Sequence, residues 1–177
     1  LLFRGHTWLA DGTLDVPRWS RDELPGRGMV LGPADAPVHL IAFVDSRCPQ
    51  CHMLIEYGRE LAAAGRMRLE LRQVAMLEPP EQAVRDTRLP ESPLVARGRA
   101  RIDRAGYLEL LGGLPADETV PEDSPAFRLA LDLVETNTET ATEVLHLTGT
   151  PGVLVRDDTA GEGRYRLTGH WEMNRLF

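Results

Sequence analysis

Cys48-Pro49-Gln50-Cys51 is the stretch of this sequence equipped for chemistry. The chain has two cysteines and both lie here, so no structural disulfide framework competes for them. Two thiols at this spacing share one helical turn, can pair with each other, and can exchange that bond with another molecule. The outer position has the more favourable electrostatics. The first turn of a helix carries backbone N–H groups without intrahelical partners and the positive end of the helix dipole. A thiolate is stabilised there, and such sites bring a cysteine from about 8.5 down to roughly 3.5–7.5. Cys48 is therefore expected to be the nucleophile. Cys51, one turn inward on the apolar face, is expected to stay protonated and to attack a mixed disulfide formed at Cys48. Arg47 and His52 flank the pair and add positive charge on this reading.

The elements that must position these thiols are legible around them. Val38 to Val44 (VHLIAFV) is apolar except for His39 and reads as a buried strand. Asp45-Ser46-Arg47 makes the turn. From Cys48 on, Cys51, Leu54, Ile55, Leu61 and Ala62 recur at helical spacing, which leaves His52, Glu56, Arg59 and Glu60 for the wet side. Pro49 suits the first helical turn. The helix is expected over about 48–64, ending at Gly65. A second strand follows over Met67 to Met76, where Met67, Leu69 and Leu71 alternate with Arg68, Glu70 and Arg72 and predict one wet face. Strand, helix and strand in this order imply a parallel pair with a right-handed crossover.

The rest of the chain divides by its punctuation. Residues 1–33 read as strand pieces at Leu1 to Phe3 and His6 to Leu9, followed by a linker arm over 13–33 rich in Pro and Gly. Leu1 begins mid-pattern, which suggests a preceding segment in the full gene product. Residues 34–77 and 137–177 carry the α/β pattern. Residues 78–136 interrupt it with helical candidates at about 81–87, 92–111 and 124–135. Asn137 to Leu147 is expected as a separate helix with Ala141, Val144, Leu145 and His146 inward. A hairpin over Val153 to Val155 and Arg164 to Thr168 and a last helix from Trp171 complete the chain.

Composition sets outer limits. At 177 residues the chain forms one domain or one domain with an insertion. Net charge −7 argues against nucleic acid as a partner. No apolar run reaches the roughly 20 residues of a membrane span, and Arg4, Gly5 and His6 interrupt the opening apolar residues of any signal peptide. Arginines between Arg85 and Arg104 suggest a basic patch that reads more plainly as a solvated face, and residues 115–143 set eight carboxylates against Arg128 alone.

The strand–CxxC–helix opening resembles the thioredoxin superfamily, and more narrowly the catalytic domain of the periplasmic disulfide isomerases DsbC and DsbG. The resemblance rests on Phe43-Val44-Asp45 before the CxxC, Gly149-Thr150-Pro151 before a short apolar strand, Gly169 before a terminal helix, and Arg4-Gly5-His6 through Asp11-Gly12. It covers about 1–77 and 137–177. It implies an α/β, thioredoxin-like fold with an inserted helical subdomain over 78–136. It further implies that Pro151 has a cis peptide bond beside the CxxC, so that Thr150 and Pro151 bind the backbone of a substrate segment. Many proteins of this superfamily bury a carboxylate behind the CxxC; six residues before Cys48 this chain has Ala42. Asp45 lies closer and is expected to accept backbone bonds in the turn.

The function expected on these grounds is a thiol–disulfide oxidoreductase or disulfide isomerase acting on protein substrates in the periplasm, with no cofactor. The implied partners are client proteins, a membrane redox partner, and a second copy through an N-terminal dimerisation domain that this chain lacks or keeps only as a tail. Two other readings stand beside it. Cys48 to His52 also fits CxxCH, the c-type haem attachment signature, with His52 as axial ligand. A chaperone or binding module would use Trp8, Trp19 and Trp171 to line an apolar groove and carry the CxxC incidentally. A zinc site lacks ligand spacing, since His6, His39, His146 and His170 stand singly.

Overall fold

A computed structural model describes residues 7–8, 14–86, 122–158, 161 and 163–168. Its centre is a five-stranded sheet in the order β3–β5–β4–β6–β7. The strands are β3 (Met29–Leu31), β4 (Val38–Asp45), β5 (Met67–Val74), β6 (Gly152–Arg156) and β7 (Tyr165–Leu167). A separate antiparallel pair joins β1 (Thr7–Trp8) to β2 (Leu14–Asp15). β4 and β5 run parallel across the connection through helix α1 (Pro49–Ala63), as the sequence predicts. The other three pairings are antiparallel, including the predicted β6–β7 hairpin.

The central strands are covered on both faces, and this decides which residues lie inside. Leu40, Ala42 and Val44 of β4 face one way. They pack with Leu69 and Leu71 of β5, Val153 and Val155 of β6, and Cys51, Leu54 and Ile55 of α1. Ile41 and Phe43 face the other way, with Val74, Leu154, Tyr165, Leu24, Ala141 and Leu145. α1 ends where its periodicity does. Gly65 takes φ 71, the Arg66 N–H reaches the Leu61 carbonyl at 2.9 Å and the Gly65 N–H reaches Ala62 at 3.0 Å, a Schellman closure.

Three expectations need correction. Residues 13–33 are not simply an arm. They supply β2 and the edge strand β3, and Leu24 is in the core. Gly28 allows the approach, since a Cβ there would sit 1.7 Å from the Leu71 carbonyl oxygen. β5 stops at Val74, and its charged face is not wet: Glu70 and Arg72 are buried. Arg72 donates to Glu70 at 2.8 Å and to the carbonyls of Leu24 and Pro25 at 2.8 and 3.0 Å, while Arg21 pairs with the other Glu70 oxygen. The alternation of period two is real, but the charges on one side are neutralised by each other and by the incoming chain rather than by water.

The third correction concerns the helices after β5. α2 (Pro80–Asp86) matches the candidate at 81–87, but 124–135 and 137–147 are one helix, α3 (Pro125–Glu139), running on into a π turn over Thr140–Val144. The expected boundary at 136/137 thus falls inside a helix. The N-terminal half of α3 packs Phe127 and Val134 against Ala83 and Val84 of α2, and its continuation puts Ala141 and Leu145 on the sheet. Asn137, which looks like a helix start, is a clamp instead. Its Oδ1 accepts from the Arg27 N–H at 3.1 Å, and its Nδ2 donates to the carbonyls of Arg27 and Gln73 at 3.0 and 3.1 Å. Thr138, Thr140 and Thr142 bond back to carbonyls four residues earlier, which loosens the helical ladder and accompanies the wider turn. His146 does not face inward: it is exposed and takes φ 54, the conformation that ends the helix. The candidate helices at 92–111 and from Trp171, and the patch arginines beyond Arg85, lie outside the described residues.

Asn137→Ala should cost about 2–3 kcal/mol, because three backbone groups, that of Gln73 buried and the two of Arg27 partly so, lose their bonds together. Thermal unfolding should show a Tm fall of roughly 5–10 °C for a chain of this size. A Tm within about 1 °C of wild type would contradict the clamp.

Candidate active site

The turn that delivers Cys48 is held by its own side chains. Asp45 is fully buried, and its carboxylate accepts three backbone N–H groups: Arg47 at 2.9 Å, Met76 at 2.9 Å and Leu77 at 3.1 Å. This is the turn role expected for it, and it also ties the exit of β5 to the end of β4. Ser46 donates to Glu78 at 3.3 Å, and Arg47 pairs with Glu78 at 2.7 Å. Glu78 is a site neighbour that the sequence does not announce, since thirty residues separate it from the CxxC and no motif links them.

Cys48 is the N-cap of α1, with Pro49 at the first helical position. Its Sγ accepts from the Cys51 N–H at 3.3 Å. On the other side its single S–H has two acceptors in reach, the Thr150 carbonyl at 3.3 Å and Gln50 Oε1 at 3.6 Å. Thr150–Pro151 is a cis peptide, and the loop that carries it lies against Cys48 across 102 residues of sequence. Cys51 is wholly buried in the face shared with α1, where its sulfur meets the Asp45 N–H at 3.5 Å. Both cysteines are free thiols. The structure therefore brings Cys48, Cys51, Thr150 and Pro151 together.

The two sulfurs are driven apart in acidity. The hydrogen bond from the Cys51 thiol, helped by Thr150 and by the N–H groups of Cys51 and Gln50, brings Cys48 down to about 6 against the opposing effect of burial. Burial pushes Cys51 far up, and the neighbouring Cys48 sulfur adds to the rise. The Thr150 carbonyl works the other way on Cys48, because it can accept only from the protonated thiol. The donors prevail: several of them converge on the sulfur, and they act on its charged form.

The flanking residues behave differently from expectation. Arg47 is about half exposed and is engaged by Glu78. His52 is not on the wet side but buried, and its Nε2–H donates to the Ser46 carbonyl at 2.8 Å. The nitrogen that the haem reading needs for an axial bond thus belongs to the active-site turn. Trp19, offered for an apolar groove, pairs its backbone with Tyr165 and packs on the core beside Leu24. The side chains of Trp8 and Trp171 lie outside the described residues.

The acidity of Cys48 makes a stability prediction. Its ordinary value is 9.0 and its folded value about 6, so between these the unfolded chain binds more protons. Its contribution is complete above the unfolded value and is lost as pH falls through the folded one. Cys51, shifted upward, contributes steadily over the same window and declines only above it. The unfolding free energy of the reduced protein, minus that of Cys48→Ala, should therefore rise from pH 6 towards pH 9. Denaturant unfolding across that range checks this, and a flat or falling difference would contradict it.

No protein-family model matches the chain, and no curated protein matches it. Solved structures do. Pseudomonas aeruginosa DsbA2 matches at 19% identity over 86% of this chain and 93% of that one, with a TM-score of 0.51. A thioredoxin-like oxidoreductase from Silicibacter pomeroyi matches at 19% identity over 89% and 95%, with a TM-score of 0.50. The catalytic domain of Proteus mirabilis ScsC matches at 13% identity over 88% and 91%, at 0.49. The narrower likeness to DsbC and DsbG rests on the sequence motifs. At these identities the first two matches speak for architecture alone: the chain has the thioredoxin-like fold, with a helical insertion between β5 and β6.

Proposed function

We propose that this protein is a thiol–disulfide oxidoreductase acting on protein substrates, with Cys48 as nucleophile and Cys51 as resolving thiol. The observation that carries the reading is the Cys48 sulfur at the N-cap of α1, held by the Cys51 N–H at 3.3 Å and faced by the Thr150–Pro151 loop. The Cys48 thiolate attacks one sulfur of a substrate disulfide. A Cys48–substrate disulfide forms, and the other substrate sulfur leaves as a thiolate that takes up a proton. From there a substrate thiolate can attack in turn, giving a new substrate disulfide and releasing Cys48, which is isomerisation. Alternatively Cys51 attacks the Cys48 sulfur, the Cys48–Cys51 disulfide forms, and the substrate leaves as a thiol, which is reduction. Run backwards from that disulfide, the same steps oxidise a substrate.

The coupling of the two thiols suits this order of events. Part of what holds the proton on Cys51 is the charge of Cys48 and the hydrogen bond to it. Once Cys48 is in a mixed disulfide that charge is gone, and Cys51 ionises more readily at the step that needs it. The Asp45 N–H at 3.5 Å is placed to receive the resulting charge. Thr150 and Pro151 are assigned to hold the backbone of the substrate segment beside Cys48. Such clients exist in oxidising compartments, and we place the protein in the periplasm with a membrane redox partner to reset it.

Cys51→Ser should still attack oxidised glutathione and retain one glutathione on Cys48, seen as a mass increase, whereas wild type should release it and form the Cys48–Cys51 disulfide. Cys48→Ser should lower turnover of a scrambled client protein to the uncatalysed rate. Full activity in Cys48→Ser would remove the chemistry from the thiols. The reduction potential assigns the direction: about −120 mV favours an oxidase, about −180 mV an isomerase and about −270 mV a reductase.

A further inference from the structure

Three basic side chains share one rung of the sheet, at the end away from the thiols. His39 on β4 lies beside Arg68 on β5 in the parallel register. Leu40 faces Val155 across β4 and β6, so the next pair outward is His39 with Arg156. Their side chains meet there: Arg156 Nη1 is 3.0 Å from His39 Nδ1 and 3.2 Å from Nε2. Residues side by side in adjacent strands project to one face, where like charges oppose each other. A guanidinium has only donors, so an imidazole nitrogen that bonds to it must accept, which favours the neutral ring at His39. Burial, then Arg156, then Arg68 push its pKa down.

Little on this rung balances the two guanidiniums. Asp158, half exposed, pairs with Arg156 at 3.2 Å. Arg68 donates to the Gly32 carbonyl at 3.4 Å and forms no ion pair with a described carboxylate. The next rung inward is different, because Glu70 there stands between Arg72 and Arg21. Arg68 and Arg156 stand on strands separated only by β4, so their backbones are about 10 Å apart, a span that two arginine side chains can close on a single small anion. From His39 to Asp45 the strand runs roughly 20 Å, so this end of the sheet is no part of the dithiol site.

We propose that the Arg68–His39–Arg156 rung is a binding site for an oxyanion, a phosphate or carboxylate group gripped by the two guanidiniums across His39. Asp158 supplies one negative charge, at Arg156, and the anion supplies the second that the two guanidiniums call for. The inference does not depend on the redox reading.

The test uses the whole protein in inorganic phosphate against sodium chloride at equal ionic strength. Phosphate at about tenfold over its Kd should raise Tm by about 3–5 °C. It should also shift the His39 ring resonances in NMR. Arg68→Gln and Arg156→Gln should each weaken both responses while Cys48 alkylation stays unchanged. Acetate in place of phosphate separates the sources: a stronger response to acetate assigns a carboxylate, a stronger response to phosphate a phosphoryl group. If Arg68→Gln does not fold, Arg156→Gln and the wild-type NMR titration decide. Identical Tm and ring resonances in phosphate and matched chloride would overturn the site, as would a response fully retained in both variants.

Discussion

A sulfur at the start of a helix, with N–H groups pointing at it and little water around it, is the constraint on which the rest of this structure depends. Cys48 needs donors to ionise, and burial alone would make it a weaker acid. The Cys51 N–H, the Cys51 thiol and Thr150 supply the donors. They come from two elements: α1 gives the first two, and the loop before β6 gives the third. The sheet must therefore hold the end of β4, the start of α1 and the entry to β6 within a few ångströms of one another. The antiparallel register of β6 on β4, with Phe43 opposite Gly152, does this.

The same region shows how the insertion is attached without disturbing the thiols. The chain leaves β5 under the Asp45 carboxylate and passes Glu78, which engages Ser46 and Arg47, before α2 begins. It returns through α3, whose continuation reaches the sheet and is fixed by Asn137 to the segment before β3. Both attachments use buried, hydrogen-bonded polar groups rather than apolar contact alone. Such groups fix one geometry, because any slip leaves a buried donor or acceptor unmatched.

The legible part of the sequence was the part governed by local pattern. The run Val38 to Val44, the CxxC with Pro49 and the Gly65 stop each state their element within a few residues, and the strand–helix–strand order fixes the parallel pair. The Thr150–Pro151 loop was placed beside the CxxC by resemblance, since no local pattern connects positions a hundred residues apart. What escaped was polar burial. The pattern assigns His52, Glu70 and Arg72 to water because their types usually belong there. Each is inside because a polar partner waits for it: for His52 the Ser46 carbonyl six residues back across the helix start, and for Glu70 and Arg72 the distant Arg21 with the carbonyls of Leu24 and Pro25. The same holds for Asn137, whose type suggests a helix cap and whose partners are Arg27 and Gln73. Hydrophobic period reports a face, but it does not report what covers that face.

The rate of Cys48 alkylation against pH, measured on the reduced protein, tests the central claim most directly. The account predicts a midpoint near 6, because only the thiolate reacts and its donors hold it ionised to that value. A midpoint at about 8.5 or above, that of an ordinary thiol, would contradict it.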